Sequence, residues 1–219
     1  MEVMELLTGT RSARKSLDLE NPADLAVVQE CLRIGLHAAN GSNLQSWRWL
    51  VISDRERRNE IARCYREAYL SMTSGQMVAE SMQGHSPMEK LMRSTEWLVE
   101  HLAQVPLLVI PCYQPFVPRS ADDDLFYQST LYGSIFPAVW NFQLALHTRH
   151  YGTCITTLHL HRANEIRALL GIPESYVQGC LLPVARLRAG VTFHATPRRA
   201  VEEVVALDGW DGPPLVPPQ

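Results

Sequence analysis

HAANGSNLQSWRWLVISD, residues 37–54, carries the reading on which the fold turns. Upstream of it, Leu25, Val28, Cys31, Leu32 and Leu36 recur at helical spacing. Asn21 and Pro22 supply a cap and a first-turn proline, so a helix is predicted to run to His37. Residues 47–53 are apolar enough for a buried strand, and Asp54 is placed to cap the charged helix RERRNEIARCYREAYL that follows. Between helix and strand stand Asn40, Gly41, Ser42, Asn43 and Gln45, with Trp47 and Trp49 directly behind them. A solvated loop has no need of two tryptophans. A polar loop that tryptophans fix to a rigid strand presents amides and hydroxyls to a flat ligand with polar edges.

Outward from this stretch, strands and helices alternate. VPLLVIPCY, 105–113, reads as a strand in which Pro111 marks a strand end or a sheet edge. Residues 125–150 form the longest apolar helical run, and its apolar positions surround the helix, so it must be covered on most sides, with a second subunit as the natural cover. YGTCITTLHL, 151–160, reads as a strand, 161–173 as a short helix ended by Gly171 and Pro173, and 176–188 as a last core strand. In 71–96 the pattern weakens, with Met72, Met77, Met82, Met88 and Met92 set among Ser, Gly and Gln. This variable excursion is either a lid over an apolar pocket or a loosely packed helical hairpin. Prolines near the C-terminus exclude helix there but permit an extended arm over 200–219.

The 219 residues, 46% of them hydrophobic, suit one domain with a substantial core, and neither a repeat nor an inter-domain linker interrupts them. A net charge of -3 with mixed signs provides no broad cationic face for nucleic acid or a membrane surface. No stretch approaches the roughly 18 apolar residues of a membrane span. Cys31, Cys64, Cys112, Cys154 and Cys180 form no C-x-x-C pair and lie mostly in apolar stretches, as reduced core thiols of a cytoplasmic protein do.

The chemistry is less overt. Neither G-x-G-x-x-G nor G-x-x-x-x-G-K-[ST] occurs, which removes the two commonest phosphate cradles. The remaining phosphate candidates are Arg11 and Arg14, with Ser12 between them, and Arg198 and Arg199; each pair has a solvated-surface alternative. No G-x-S-x-G elbow is present. His159 and His161 would share a strand face but lack partners at zinc spacing, so no metal site is expected. Asp122, Asp123 and Asp124 are accounted for by a turn before a helix. With no dyad, triad or metal cage in view, borrowed cofactor chemistry is the natural alternative.

Five stretches, in order along the chain, together resemble the FMN-dependent nitroreductase family, which includes iodotyrosine deiodinase-like members. TRSARKS is similar to that family's R-S-x-R-x-F motif, and AANGSNLQSWRWLVISD to its A-P-S-x-x-N-x-Q-P-W-x-F-x-V-V motif. GSIFPAVWNFQLALHTRHYGTCITTLHL resembles its central helix and the run that follows, while LLGIPESY and TPRRAVEEVVALDGW resemble its C-terminal landmarks. Ala39, Asn40 and Ser46 depart from the usual proline, serine and second proline, Ser16 from an aromatic, and Trp140 from glutamine.

The resemblance implies an α+β fold: a mixed, mainly antiparallel sheet flanked by helices, in an intertwined homodimer whose C-terminal arms exchange. It implies that Arg11, Ser12 and Arg14 meet the FMN phosphate, ribityl chain or pyrimidine edge, and that Arg198 completes the phosphate site. Asn40, Gly41 and Asn43, with Gln45 beside them, would reach the partner's flavin. Thr156, Thr157, Leu158 and His159 would lie along the flavin N5 and O4 region, with His159 either over the ring, touching substrate, or turned away to bond the backbone. No catalytic side chain is implied. The activity implied is ping-pong transfer of hydride from NAD(P)H through the flavin to an electron-poor acceptor such as a nitroaromatic or quinone. The alternatives are reductive dehalogenation, oxidation of a biosynthetic intermediate, or flavin binding without turnover.

Overall fold

The computed structural model describes residues 2–73, 87–115 and 123–215. Strand β1 (Trp47–Ile52) shows why this sequence makes a two-faced sheet. Its side chains alternate: Trp47 and Trp49 join one core while Leu50 and Ile52 join another. Strand β2 (Leu107–Tyr113) repeats the division, sending Leu108, Ile110 and Cys112 to one side and Leu107, Val109 and Tyr113 to the other. All seven residues of β2 are buried, as its unbroken apolar run requires.

Strands β3 (Tyr151–Gly152), β4 (Val177–Gln178) and β5 (Leu182–Arg186) complete the sheet, in the order β1-β2-β5-β3 with β4 also paired to β2. Every one of these pairings is antiparallel. Over one face lie helices α2 (Leu25–Gly35) and α5 (Asp124–Thr148), which contribute Val28, Cys31, Leu131, Ile135, Val139, Phe142 and Leu146. Over the other lie α3 (Arg55–Thr73), α4 (Pro87–His101) and α6 (Ala163–Leu170), contributing Ile61, Tyr65, Leu98 and Ile166. A short first helix, α1 (Val3–Gly9), precedes the segment that runs into this second core at Ala13 and Leu17. All five cysteines are buried and free. Among the described residues no helix is long and apolar enough to cross a membrane.

Several expectations are corrected in detail. Helix α2 begins at Leu25, where the Asp24 carboxylate accepts from Ala26 N–H at 2.9 Å. Asn21 instead donates its side-chain amide to Asp18, 2.7 Å away, and belongs to the preceding turn. Pro111 marks neither an end nor an edge, because it lies inside the central strand β2. Its carbonyl accepts from Gly179 N–H at 2.8 Å, so its own nitrogen points the same way, into the gap between β4 and β5, where the ladder needs no donor. That gap also divides the predicted last strand in two. A Cβ on Gly179 would stand 3.1 Å from the Pro111 carbonyl oxygen, so glycine suits this close approach.

The predicted strand 151–160 is confined to two residues. Its β-branched composition suits extended chain, but successive residues pair with different neighbours: Gly152 with Ala185, Thr153 with Ala13, and Thr156 with Leu181. Leu158–Arg162 then closes into a 3-10 turn. Helix α5 is buried along one side, while Leu125, Phe126, Tyr132 and Trp140 remain exposed. Of the predicted 71–96 excursion, α3 extends to Thr73 and α4 starts at Pro87, while 74–86 lies outside the described residues. Residues 216–219 of the arm lie outside them too.

Candidate active site

Four separated stretches of chain meet beside β3. The N-terminal segment is fixed first: Ala13 N–H donates to the Thr153 carbonyl at 2.8 Å. The contact needs glycine next door, since a Cβ on Gly152 would fall 2.7 Å from Ala13 Cβ and 2.5 Å from Leu187 Cδ2. This anchor sets Arg14 facing α4, where its Nη1 donates to Ser94 Oγ at 3.4 Å. The Nε of Arg14 is buried and has no acceptor among the described residues. The charge of the Arg14 guanidinium and a hydrogen bond from it favour the ionised form of the Cys154 thiol, but burial outweighs both and pushes the thiol up to about 11. Cys154 is therefore a neutral thiol at pH 7, with little nucleophilic character.

Thr156 is held on every side. Its N–H donates to Leu181 O at 3.0 Å, its carbonyl accepts from Leu181 N–H at 2.8 Å, and its hydroxyl lies 2.8 Å from that of Tyr65. Tyr65 reaches it from the buried stripe of α3, shared with Ile61, Ala62, Cys64 and Ala68. Burial raises the Tyr65 phenol above its ordinary value, so the hydroxyl keeps its proton. With Thr156 fully engaged by protein, Thr157, the next residue and an exposed one, is free to address a ligand. Leu158 is half-buried and packs on the adjoining core. Tyr65 and Ser94 are site residues that the motifs do not contain. The sequence signal for Tyr65 is a phenol on the apolar stripe of a helix, which must find a partner for its hydroxyl.

His159 is 0% exposed, so its ring is enclosed rather than projecting into the open. Neither ring nitrogen bonds the backbone or any other described group. Burial lowers its pKa from the ordinary 6.5 to about 4, which keeps the imidazole neutral at pH 7. The unfolded chain would take up this proton first as pH falls. The stability contributed by neutral His159 is thus intact above about pH 6.5 and is lost towards pH 4, by about 3 kcal/mol in all. His147, also lowered by burial, acts in the same direction. We expect the urea midpoint to drop between pH 7 and pH 4.5, and to drop less in His159→Asn; equal drops would assign the effect to other groups.

Arg11 and Ser12 are exposed on the segment leading to Arg14. Thr10, just before them, gives its hydroxyl proton to Leu6 O at 2.6 Å and lies 2.7 Å from His147 Nδ1, so that nitrogen carries the hydrogen. The His147 ring packs against Phe193 at 5.3 Å, which brings the C-terminal segment alongside this one. Arg198 lies five residues further on, exposed, with Nη1 3.2 Å from the Pro197 carbonyl. Arg199 is bound instead to Glu203 at 3.1 Å.

The polar loop is built elsewhere, against α5 on the other face of the sheet. Gly41 N–H donates to Ser134 Oγ at 2.9 Å. Gln45 N–H donates to Asn40 Oδ1 at 3.1 Å, and the Gln45 side chain to Asn43 Oδ1 at 3.4 Å. These amides shape the loop itself. Ser42, Asn43 and Gln45 have φ of 52°, 52° and 48°, a left-handed region that costs about 1–2 kcal/mol per non-glycine residue. Behind the loop, Trp49 meets Phe142 edge to face at 5.7 Å, so the tryptophan pins the strand to α5. The structure thus brings Arg14 together with Thr156, through the shared neighbour Tyr65, and leaves Asn40, Gly41, Asn43 and Gln45 across the sheet from them.

Comparison with known proteins agrees with this architecture. Iodotyrosine deiodinase of Daphnia pulex is 24% identical over 187 residues, 84% of this chain, and the chain spans 59% of that protein's length. A crystal structure of an iodotyrosine deiodinase bound to FMN and 3-iodo-L-tyrosine superposes with a TM-score of 0.68 at 18% identity, covering 92% of this chain and 96% of the other. A BluB-like flavoprotein from Clostridium difficile gives 0.71 at 20% identity, covering 94% and 98%. The model of the nitroreductase family matches residues 7–186, and the chain belongs to that family.

Proposed function

We propose that this chain is an FMN-dependent oxidoreductase that works as a homodimer. The observation that carries the reading is Arg14, whose buried Nε has no acceptor among the described residues, beside a threonine pair of which Thr157 is exposed and Thr156 half-buried. Leaving such a donor unsatisfied costs about 1–3 kcal/mol or more. A flavin mononucleotide, with its phosphate and carbonyl-edged rings, supplies the acceptors and fits this donor set. Arg11, Ser12, Arg14 and Arg198 would bind its phosphate, ribityl chain or pyrimidine edge, with the segment around Thr157 and Leu158 along its reactive edge.

The homodimer reading is supported by the sheet itself. Asn40, Gly41, Asn43 and Gln45 stand on the opposite face from Arg14, so one flavin can meet both sets only if the loop comes from a second copy. Exposed Leu125 and Phe126 on α5, and Val201, Val204 and Trp210 in the arm, provide apolar surface for that copy to cover. In this reading the arm crosses to the partner.

FMN bound there would supply two-electron transfer between a nicotinamide donor, NADH or NADPH, and an electron-poor aromatic acceptor. The chain orients the ring system, contributes fixed hydrogen-bond donors and keeps water from it. One slot serving both partners in turn predicts parallel-line initial-rate kinetics. The first test is an absorbance spectrum. The purified protein is expected to be yellow, or to become so with added FMN, and to bleach anaerobically with one or both nicotinamides. A colourless protein that takes up no FMN would refute the proposal. The likeness to iodotyrosine deiodinases favours reductive dehalogenation as a second reading, which halide release from a halogenated phenol would distinguish from nitroaromatic reduction.

A further inference from the structure

We infer that Tyr65 is a positioning residue for the cofactor, acting through Thr156; this rests on the flavin reading above. The hydroxyls of the two residues are 2.8 Å apart. Tyr65 is 1% exposed, so its phenol has little water to turn to and the Thr156 hydroxyl is its partner. Thr156 is already tied to Leu181 through both backbone groups, and Tyr65 takes its last free polar atom. The residue becomes an immobile post from which exposed Thr157 extends toward the ligand side. Ala13 and Leu17, which flank Arg14, belong to the same core as Tyr65, and the positive charge of Arg14 acts on the phenol, so the cationic segment and the threonine segment lie around one tyrosine. Because α3 is one rigid element, the post is referenced to the core and not to the loop that it steadies.

The consequence is electronic as well as structural. A donor held near the reactive edge of a flavin tunes its reduction potential, and the tuning depends on donor placement within a few tenths of an ångström. Tyr65→Phe keeps the ring and its packing while removing only the oxygen. It is expected to raise the FMN dissociation constant ~5-fold and to displace both the visible flavin band and the midpoint potential. Thr156→Val should displace the potential in the same sense, the double variant should add little to either single change, and Thr156→Ser, which keeps the hydroxyl, should behave as the parent.

The measurements are FMN fluorescence titration and dye-equilibrated potentiometry on the full chain. A parent protein that binds FMN, with an unmoved potential in Tyr65→Phe or additive shifts in the double variant, would overturn this inference alone. A parent protein that binds no FMN would overturn the flavin reading and this inference with it. A fall in melting temperature with an unmoved potential would reduce Tyr65 to a packing residue.

Discussion

Arg14→Ala is expected to raise the dissociation constant for FMN about 100-fold, the loss of roughly 2.7 kcal/mol, which is the range of hydrogen bonds to a charged group. Two features make the effect large. The guanidinium is partly buried, so solvent replaces it poorly, and its Nε has no competing acceptor among the described residues. The neighbouring arginines provide a graded comparison. Arg198 is exposed and donates to the neighbouring carbonyl of Pro197, so Arg198→Ala should cost about tenfold. Arg199 is paired to Glu203 and should be nearly silent, within about twofold. Flavin fluorescence during titration reads all three, and unchanged retention in the Arg14→Ala/Arg198→Ala double variant would refute the phosphate assignment.

Phe142→Ala carries the second large effect, on stability. The residue is fully buried on α5, edge to face with Trp49 at 5.7 Å, at the centre of the core between α5 and the sheet. Truncation removes most of an aromatic ring from a site where close-packed neighbours cannot collapse, which costs about 3–5 kcal/mol. For a chain of this length that corresponds to a fall of roughly 10 °C in melting temperature. The loss should also reach the polar loop, because Trp49 would no longer be braced from behind. Calorimetry and urea unfolding check the first part, and a drop smaller than about 1 kcal/mol would contradict the packing described.

Where the sequence was informative, the information was local. Asp54 caps α3 as its position suggests, accepting from Arg57 N–H at 2.9 Å, and the alternating side chains of β1 divide between two cores as a period of two requires. The cationic segment and the threonine segment were visible as motifs. Their meeting was not, because the bonds that join them to the rest of the site span 80 residues for Arg14 with Ser94 and 91 for Tyr65 with Thr156. No local pattern encodes such a separation. The division of the last strand at Gly179 was hidden for the same reason: Pro111, which occupies the gap, is far away in the chain. Asn21 does not cap α2 because two acids compete nearby, with Asp18 drawing it into a turn and Asp24 taking the cap.

Arg14, Tyr65, Ser94 and Thr156 reach their common corner from four stretches of chain that no short loop connects. A guest seated there would act as a keystone: it could not leave or arrive without being felt by almost the whole polypeptide. Saturation at a hundredfold excess over the dissociation constant would then secure the assembly against global opening by about 2.7 kcal/mol, and slow proteolysis throughout the chain rather than at one spot.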